Sequence, residues 1–245
     1  MVELLTQSQN ISEPFYLKVA QGEVSGHTSV HKFGANFDID VGSSPESIWT
    51  YGGLYPWDSL SSPEILYVKS DNAADTSSIV VQGLDEDWNA VAETVQMAGT
   101  TPVATSNTFR RVYRMQYNHG YPNQGTITAH VTSGSGTVVA HIEEQYAQTL
   151  MTVYTVPAGY TGYMLNLDAS LNKGEDGNLR IFQRPFGESF KIAHMAEIYE
   201  RSYRYDFSVP LKFIEKTDID FRLAEVETSN TRVTANFDML LVLNV

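Results

Sequence analysis

The chain has 245 residues, 42% of them hydrophobic, which is enough for a well-buried core and too apolar for general disorder. Its formal charge of −13 sets it against nonspecific binding to nucleic acid, and no apolar run approaches the ~20 residues a helix needs to cross a bilayer. With no cysteine it has neither a disulfide framework nor a thiolate metal site, a composition that suits folding in a reducing cytoplasm.

Residues 1–13, MVELLTQSQNISE, lack the basic start and long apolar stretch of a secretory signal. They read as a short polar arm whose Leu4, Leu5 and Ile11 offer apolar contacts to a neighbour. Gly26–Trp57 follows, with glycines, charges and aromatics at irregular intervals, so it reads as neither a helix face nor a simple strand. Phe33, Phe37, Trp49, Tyr51, Tyr55 and Trp57 are too much apolar surface for a freely solvated loop. They are the expected contact with a neighbouring subunit or a shell, the competing role being closure of the chain's own core.

From residue 63 onward the pattern is that of strands. PEILYVKS at 63–70, SIVVQG at 78–83 and NAVAETVQM at 89–97 are short β-branched runs broken by Asp, Asn and Gly. TFRRVYRMQY at 108–117 reads as one strand with Phe109, Arg111, Tyr113, Met115 and Tyr117 on one face and Val112 among polar residues on the other. Thr126–Val131 and Thr137–Ile142 flank Ser133-Gly134-Ser135-Gly136, a hairpin whose turn calls for glycine at positive φ. Leu150–Val156, a turn at Pro157-Ala158-Gly159, and Tyr160–Asp168 continue the series, followed by a polar turn over 172–178 and a strand over 179–183. Ile192–Tyr203 fits a helix or a strand equally. Ile219, Phe221 and Leu223 alternate cleanly with Asp218, Asp220 and Arg222, and Phe237, Met239, Leu241 and Leu243 form a last apolar face. Strands regularly punctuated by turns predict an all-β protein, an antiparallel β-sandwich or jelly-roll-like fold with an extended N-terminal arm. The expected organisation is 1–60 as arm and aromatic segment, 61–147 and 148–245 as two strand-rich halves or one domain.

Chemistry is sparse. His27 and His31 have helical metal-ligand spacing, but in an extended chain they lie roughly 13 Å apart, too far for one ion. Asp38/Asp40, Asp85/Glu86/Asp87, Glu143/Glu144 and Asp218/Asp220 are carboxylate pairs without glycosidase geometry and read as solvated turns or outward strand positions. Asp71–Asp75 lacks the length and terminal Glu of a calcium loop. Arg110, Arg111, Arg114, Arg180, Arg184, Arg201 and Arg204 are the candidates for a basic face, expected to pair with the abundant acids instead. No catalytic residue, metal site or cofactor is expected.

The pattern G-H-x-x-V-x-K-F-G-x-N-x-D-I-D at Gly26–Asp40, followed by E-S-I-W-x-x-G-G-x-Y-P-W at Glu46–Trp57, resembles a family of structural virion proteins of tailed phages infecting aquatic bacteria. Gly83-Leu84-Asp85, Glu93-Thr94-Val95, Gly99-Thr100-Thr101, Phe109-Arg110-Arg111-Val112, Thr155–Thr161 and Arg184-Pro185-Phe186 extend the resemblance over most of the chain. It implies a non-enzymatic component of a virion, synthesised in the host bacterial cytoplasm, that decorates or cements the capsid or builds an accessory on it. The implied partners are other virion proteins, the major capsid protein first, together with further copies of itself, a trimer being the guess; membrane and specific nucleic acid are not among them. The competing expectations are a tail or fibre component that binds a host-surface glycan and, last, a polysaccharide-cutting enzyme.

Overall fold

The computed structural model describes residues 13–172, 174–199 and 201–244. A short helix α1 (Phe15–Ala20) precedes β1 (His27–Ile39) and β2 (Glu46–Ser47). There follow β3 (Glu64–Ser70), β4 (Ser78–Leu84), β5 (Ala90–Gln96), β6 (Val103–Phe109), β7 (Arg111–Asn118), β8 (Ile127–Val131) and β9 (Val138–Ile142). The chain ends with β10 (Tyr154–Thr155), β11 (Tyr160–Leu171), β12 (Gly177–Arg184), β13 (Lys191–Ile198), β14 (Ser202–Phe213), β15 (Asp218–Ala224) and β16 (Thr231–Leu243). The protein is all-β, and the ladders are antiparallel.

Two sandwiches carry separate cores. In the first, sheet β6-β3-β8-β9 packs on sheet β5-β4-β7 around Leu66, Val68, Ile79, Val81, Phe109 and Met115. In the second, sheet β1-β16-β11-β14 packs on sheet β10-β15-β12-β13 around Leu167, Ile181, Phe213, Phe221 and Phe237. From His27 the N-terminal segment therefore does not stand apart as an arm; the expected contacts of Leu4, Leu5 and Ile11 lie outside the described residues. β1 runs beside β16 over nearly its whole length and completes a sheet of the second sandwich, and β2 adds to β15.

That corrects the reading of Gly26–Trp57 as irregular throughout. Its first half is a 13-residue strand whose inward positions include Lys32, Gly34 and Asn36 rather than a hydrophobic run, so the period-2 signal is hidden. Gly34 is required by close approach: a Cβ there would sit 2.6 Å from the Ile48 carbonyl oxygen and 2.6 Å from the Thr152 nitrogen.

Residues 108–117 are two strands broken at Arg110. β7 bulges at Tyr113, where Gln82 pairs with Arg114 but Gly83 with Val112. The extra residue exchanges faces. Val112 joins Met115 and Tyr117 in the first core, while Tyr113 turns to Tyr154 of the second sandwich. The β8–β9 hairpin forms, but its glycines serve a different purpose from the expected one. Positive φ falls on Thr132 and Ser133, while Gly136 is held because a Cβ would lie 1.7 Å from the Val131 carbonyl oxygen.

Ile192–Tyr203 falls in two strands, β13 to Ile198 and β14 from Ser202, and holds no helix among its described residues. α1 escaped notice because it is six residues long and its FYLKVA has no helical stripe. It stops at Gly22, φ +76, with the Glu23 N–H bonded to the Lys18 carbonyl and the Gly22 N–H to that of Val19, a Schellman closure.

Candidate functional site

Strand β15 shows why the clean alternation at 218–224 misleads. All seven of its residues are buried. Ile219, Phe221 and Leu223 face the second core, and the opposite face, carrying Asp218, Asp220 and Arg222, is covered by residues 46–60 and by Arg111 of the first sandwich. The expected outward, solvated position of Asp218 and Asp220 is therefore overturned: they are the buried anions of a seam between the two sandwiches.

Trp49, Tyr55, Trp57, Val138, Met151 and Val153 form a third apolar cluster at that seam. The Tyr55 ring lies 5.1 Å from Trp49 and 4.8 Å from Trp57, both edge-on. Its hydroxyl stands 3.0 Å from the Val139 carbonyl oxygen and 3.3 Å from that of Val112, and burial pushes the phenol far above its ordinary pKa. Trp57 Nε1 donates to Asp220 Oδ2 at 2.9 Å, where Ser47 Oγ (3.1 Å) and Arg222 Nε (2.8 Å) also donate. Burial raises the Asp220 carboxyl above its ordinary range against the opposing pull of Arg222.

The Asp218 carboxylate is the centre of charge. Arg111 grips it bidentately, Nε to Oδ1 at 2.7 Å and Nη2 to Oδ2 at 3.0 Å, and Thr155 Oγ1 adds 2.6 Å to Oδ1. From the other side Arg184 donates from Nε (3.0 Å) and Nη2 (2.8 Å) to Oδ2. The guanidiniums also lie against rings: Arg111 is 5.5 Å from Trp57 and 5.1 Å from Trp88, and Arg184 is 4.4 Å from Phe190. Because Arg111 and Trp88 belong to the first sandwich and Asp218, Arg184 and Phe186 to the second, this network ties the two together. The Trp88 carbonyl adds a hydrogen bond from the Ala158 N–H at 3.0 Å.

The six aromatics singled out in the sequence divide. Trp49, Tyr55 and Trp57 are buried in the seam. Phe33 is half-buried beneath Arg114, and Phe37 is half-buried against Tyr146. Tyr51 is 53% exposed, its ring against Trp49 and His141. The sequence reading passed over a second exposed group, on α1: Phe15, Tyr16 and Leu17 are 47%, 57% and 45% exposed, and only Val19 of that helix is buried. Three consecutive large apolar residues after a proline were the available signal.

The remaining candidates have local partners. His31 pairs with Asp238 at 2.7 Å and His27 bonds the Ser25 carbonyl. The Asp85 carboxylate accepts from the Asp87 and Asn89 amides, closing its own turn. Asp75 accepts from Ser70 Oγ and from the Gln124 and Gly125 amides, while Asp71 accepts from Thr126, so the 71–75 cluster holds loops together. Among the described residues no group of three or more His, Asp or Glu is placed to hold a metal ion. Arg180 pairs with Glu225, and Arg204 with Asp206.

No protein-family model and no curated protein matches the chain. Among solved structures it is similar to the PBSX exported protein XepA at 7% identity, with a TM-score of 0.20 over 86% of this chain and 84% of that one. It is also similar to the VP2 subviral particle of infectious bursal disease virus at 8% identity, with a TM-score of 0.22 over 90% of this chain and 73% of that one. Likenesses of this size carry no argument about role.

Proposed function

We propose that the protein is a non-enzymatic structural subunit of a tailed-phage virion that docks on the capsid or on an accessory of it. The observation that carries this reading is α1. A helix that turns Phe15, Tyr16 and Leu17 to solvent while burying one residue leaves apolar surface in search of a partner. At roughly 25 cal/mol per Å², covering three such side chains contributes several kcal/mol before ordering costs. Repetition over many identical copies multiplies even a modest contact. The two sandwiches, latched through Asp218, supply a rigid body behind that contact. The family resemblance of Gly26–Trp57 supports the same reading.

The test is incorporation. The triple variant F15S/Y16S/L17S, supplied to particles that lack the protein, is expected to fold normally and fail to bind. Normal incorporation of that variant removes the basis of the proposal, and a turnover of glycan or peptide abolished by one acidic substitution replaces it with an enzyme.

A further inference from the structure

Beside the Asp218 latch the seam opens into a cleft of about 320 Å³, between the turn at 85–89 and the turn at 185–188. We propose that this cleft binds a carboxylated sugar, with Arg184 holding the carboxylate. The guanidinium of Arg184 is only partly used. Nε and Nη2 are spent on Asp218, whereas Nη1 has no hydrogen bond among the described residues. Its remaining neighbour is Asp58, 3.5 Å away with a side chain 98% exposed, a contact of the kind that water and salt readily replace. Two arginines share the single charge of Asp218, so the latch itself keeps one positive charge in excess, which Asp58 answers from the rim, while Glu188 there is paired with Lys191. A second carboxylate is the group that completes such a fork.

The walls specify the rest of the ligand. Phe186, 64% exposed, stands at the rim with its ring 5.1 Å from Trp88, and Trp57 closes the back. An exposed ring beside a guanidinium matches the apolar C–H face and the charged corner of a uronic acid. Ser61 and Glu188 add a hydroxyl and a carboxylate for sugar hydroxyls. Trp88 adopts φ +67, uncommon for a bulky residue, and so sets its ring at the cleft wall at a conformational cost. An acidic peptide is disfavoured, because the strand behind the cleft, β12, is paired on both edges, with β13 and β15, and offers no backbone ladder.

The proposal concerns the isolated chain and stands apart from its role in a particle. Calorimetric titration with trimers of galacturonate, glucuronate and mannuronate tests it, with a neutral trimer and triglutamate as controls. Two variants at exposed positions leave the latch intact. D58N is expected to tighten binding of a uronate about threefold by freeing Nη1, in line with the worth of an exposed ion pair. F186A is expected to weaken it about fivefold through loss of the ring contact. Added salt is expected to lower the affinity. Absence of binding by all three uronates, equal binding of the neutral trimer or triglutamate, or an affinity unmoved in both variants overturns the proposal.

Discussion

Two aromatic groups in the first quarter of the chain have opposite fates. Trp49, Tyr55 and Trp57 pack with the Tyr55 ring edge-on to the other two over the polar face of β15, bonded to the Gly53 carbonyl, to strand carbonyls and to Asp220 respectively, while Phe15, Tyr16 and Leu17 lie on a six-residue helix and face solvent. Only the first group stands out in the sequence as apolar surplus; the second lies between the segments that drew attention. What separates them is what lies underneath. The seam cluster covers charges that need to be taken out of water together, and a Trp N–H or Tyr O–H can satisfy them while its ring excludes solvent. Of the helix only Val19 is buried, with the Phe15 ring edge-on to His27, and among the described residues Phe15, Tyr16 and Leu17 stay exposed.

The comparison is broken most forcefully at the latch. Arg111→Ala leaves Asp218 buried with half its charge partners gone, and is expected to cost about 3–5 kcal/mol in denaturant unfolding. Trp57→Ala is expected to fall in the same range of about 3–5 kcal/mol, because it opens a cavity and strips a donor from Asp220. A loss below about 1 kcal/mol for both, the level of an ordinary surface change, contradicts the seam as the tie between sandwiches. Tyr55→Phe sharpens the point by removing one hydroxyl. It strands the Val139 carbonyl and is expected to cost about 1–2 kcal/mol.

Acid gives a finer test. His141 bonds Thr50 Oγ1 at 2.8 Å and lies beneath the Tyr51 ring, and burial lowers its pKa from 6.5 to about 4. The unfolded chain therefore binds the extra proton first, so this contribution is intact above pH 6.5 and is lost as pH falls toward 4. His141→Gln is expected to flatten the stability profile in that window, and an unchanged slope by denaturant titration at pH 7 and pH 4.5 excludes the account. Lys32 behaves with the same sign at higher pH. It is buried and bonded to the Tyr113 carbonyl, and burial, with the charge of Arg114, holds its pKa well below 10.5. Wild-type stability is expected to rise as pH climbs toward 10.5, and Lys32→Met to remove that rise. The smallest stability effect belongs to the helix: F15S/Y16S/L17S is expected to stay within ±0.5 kcal/mol of wild type, as exposed positions do.

The strand content was legible because β3, β4, β8, β11 and β16 each bury one face against a core and so show period 2. β1 was not, because its inward side chains are Lys32, Gly34 and Asn36, chosen for contact with β7 and the 46–48 segment. The bulge at Tyr113 was invisible for a related reason: an inserted residue reverses the faces without altering composition. At the site, Asp218, Asp220 and Arg222 were read correctly as one face and wrongly as a wet one. Alternation reports which residues share a side, and whether a second layer covers that side depends on residues 46–60, more than 150 positions away in sequence. The alternating acid and arginine of β15 and the Trp-rich loop were complementary halves of one signal.

Amide hydrogen exchange over residues 13–60, on the isolated chain and on the chain assembled in a particle, tests the central distinction most directly. The account predicts that the amides of Ile48, Tyr55 and Trp57, bonded at 2.8–2.9 Å to the Phe221 carbonyl, to Ser47 Oγ and to the Tyr55 carbonyl, are protected in both states. Those of Leu17 and Lys18 in α1 gain protection only on assembly. Exchange-labile amides at 48–57 in the isolated chain that become protected on assembly, with α1 unchanged, would place the docking surface in the aromatic loop and contradict it.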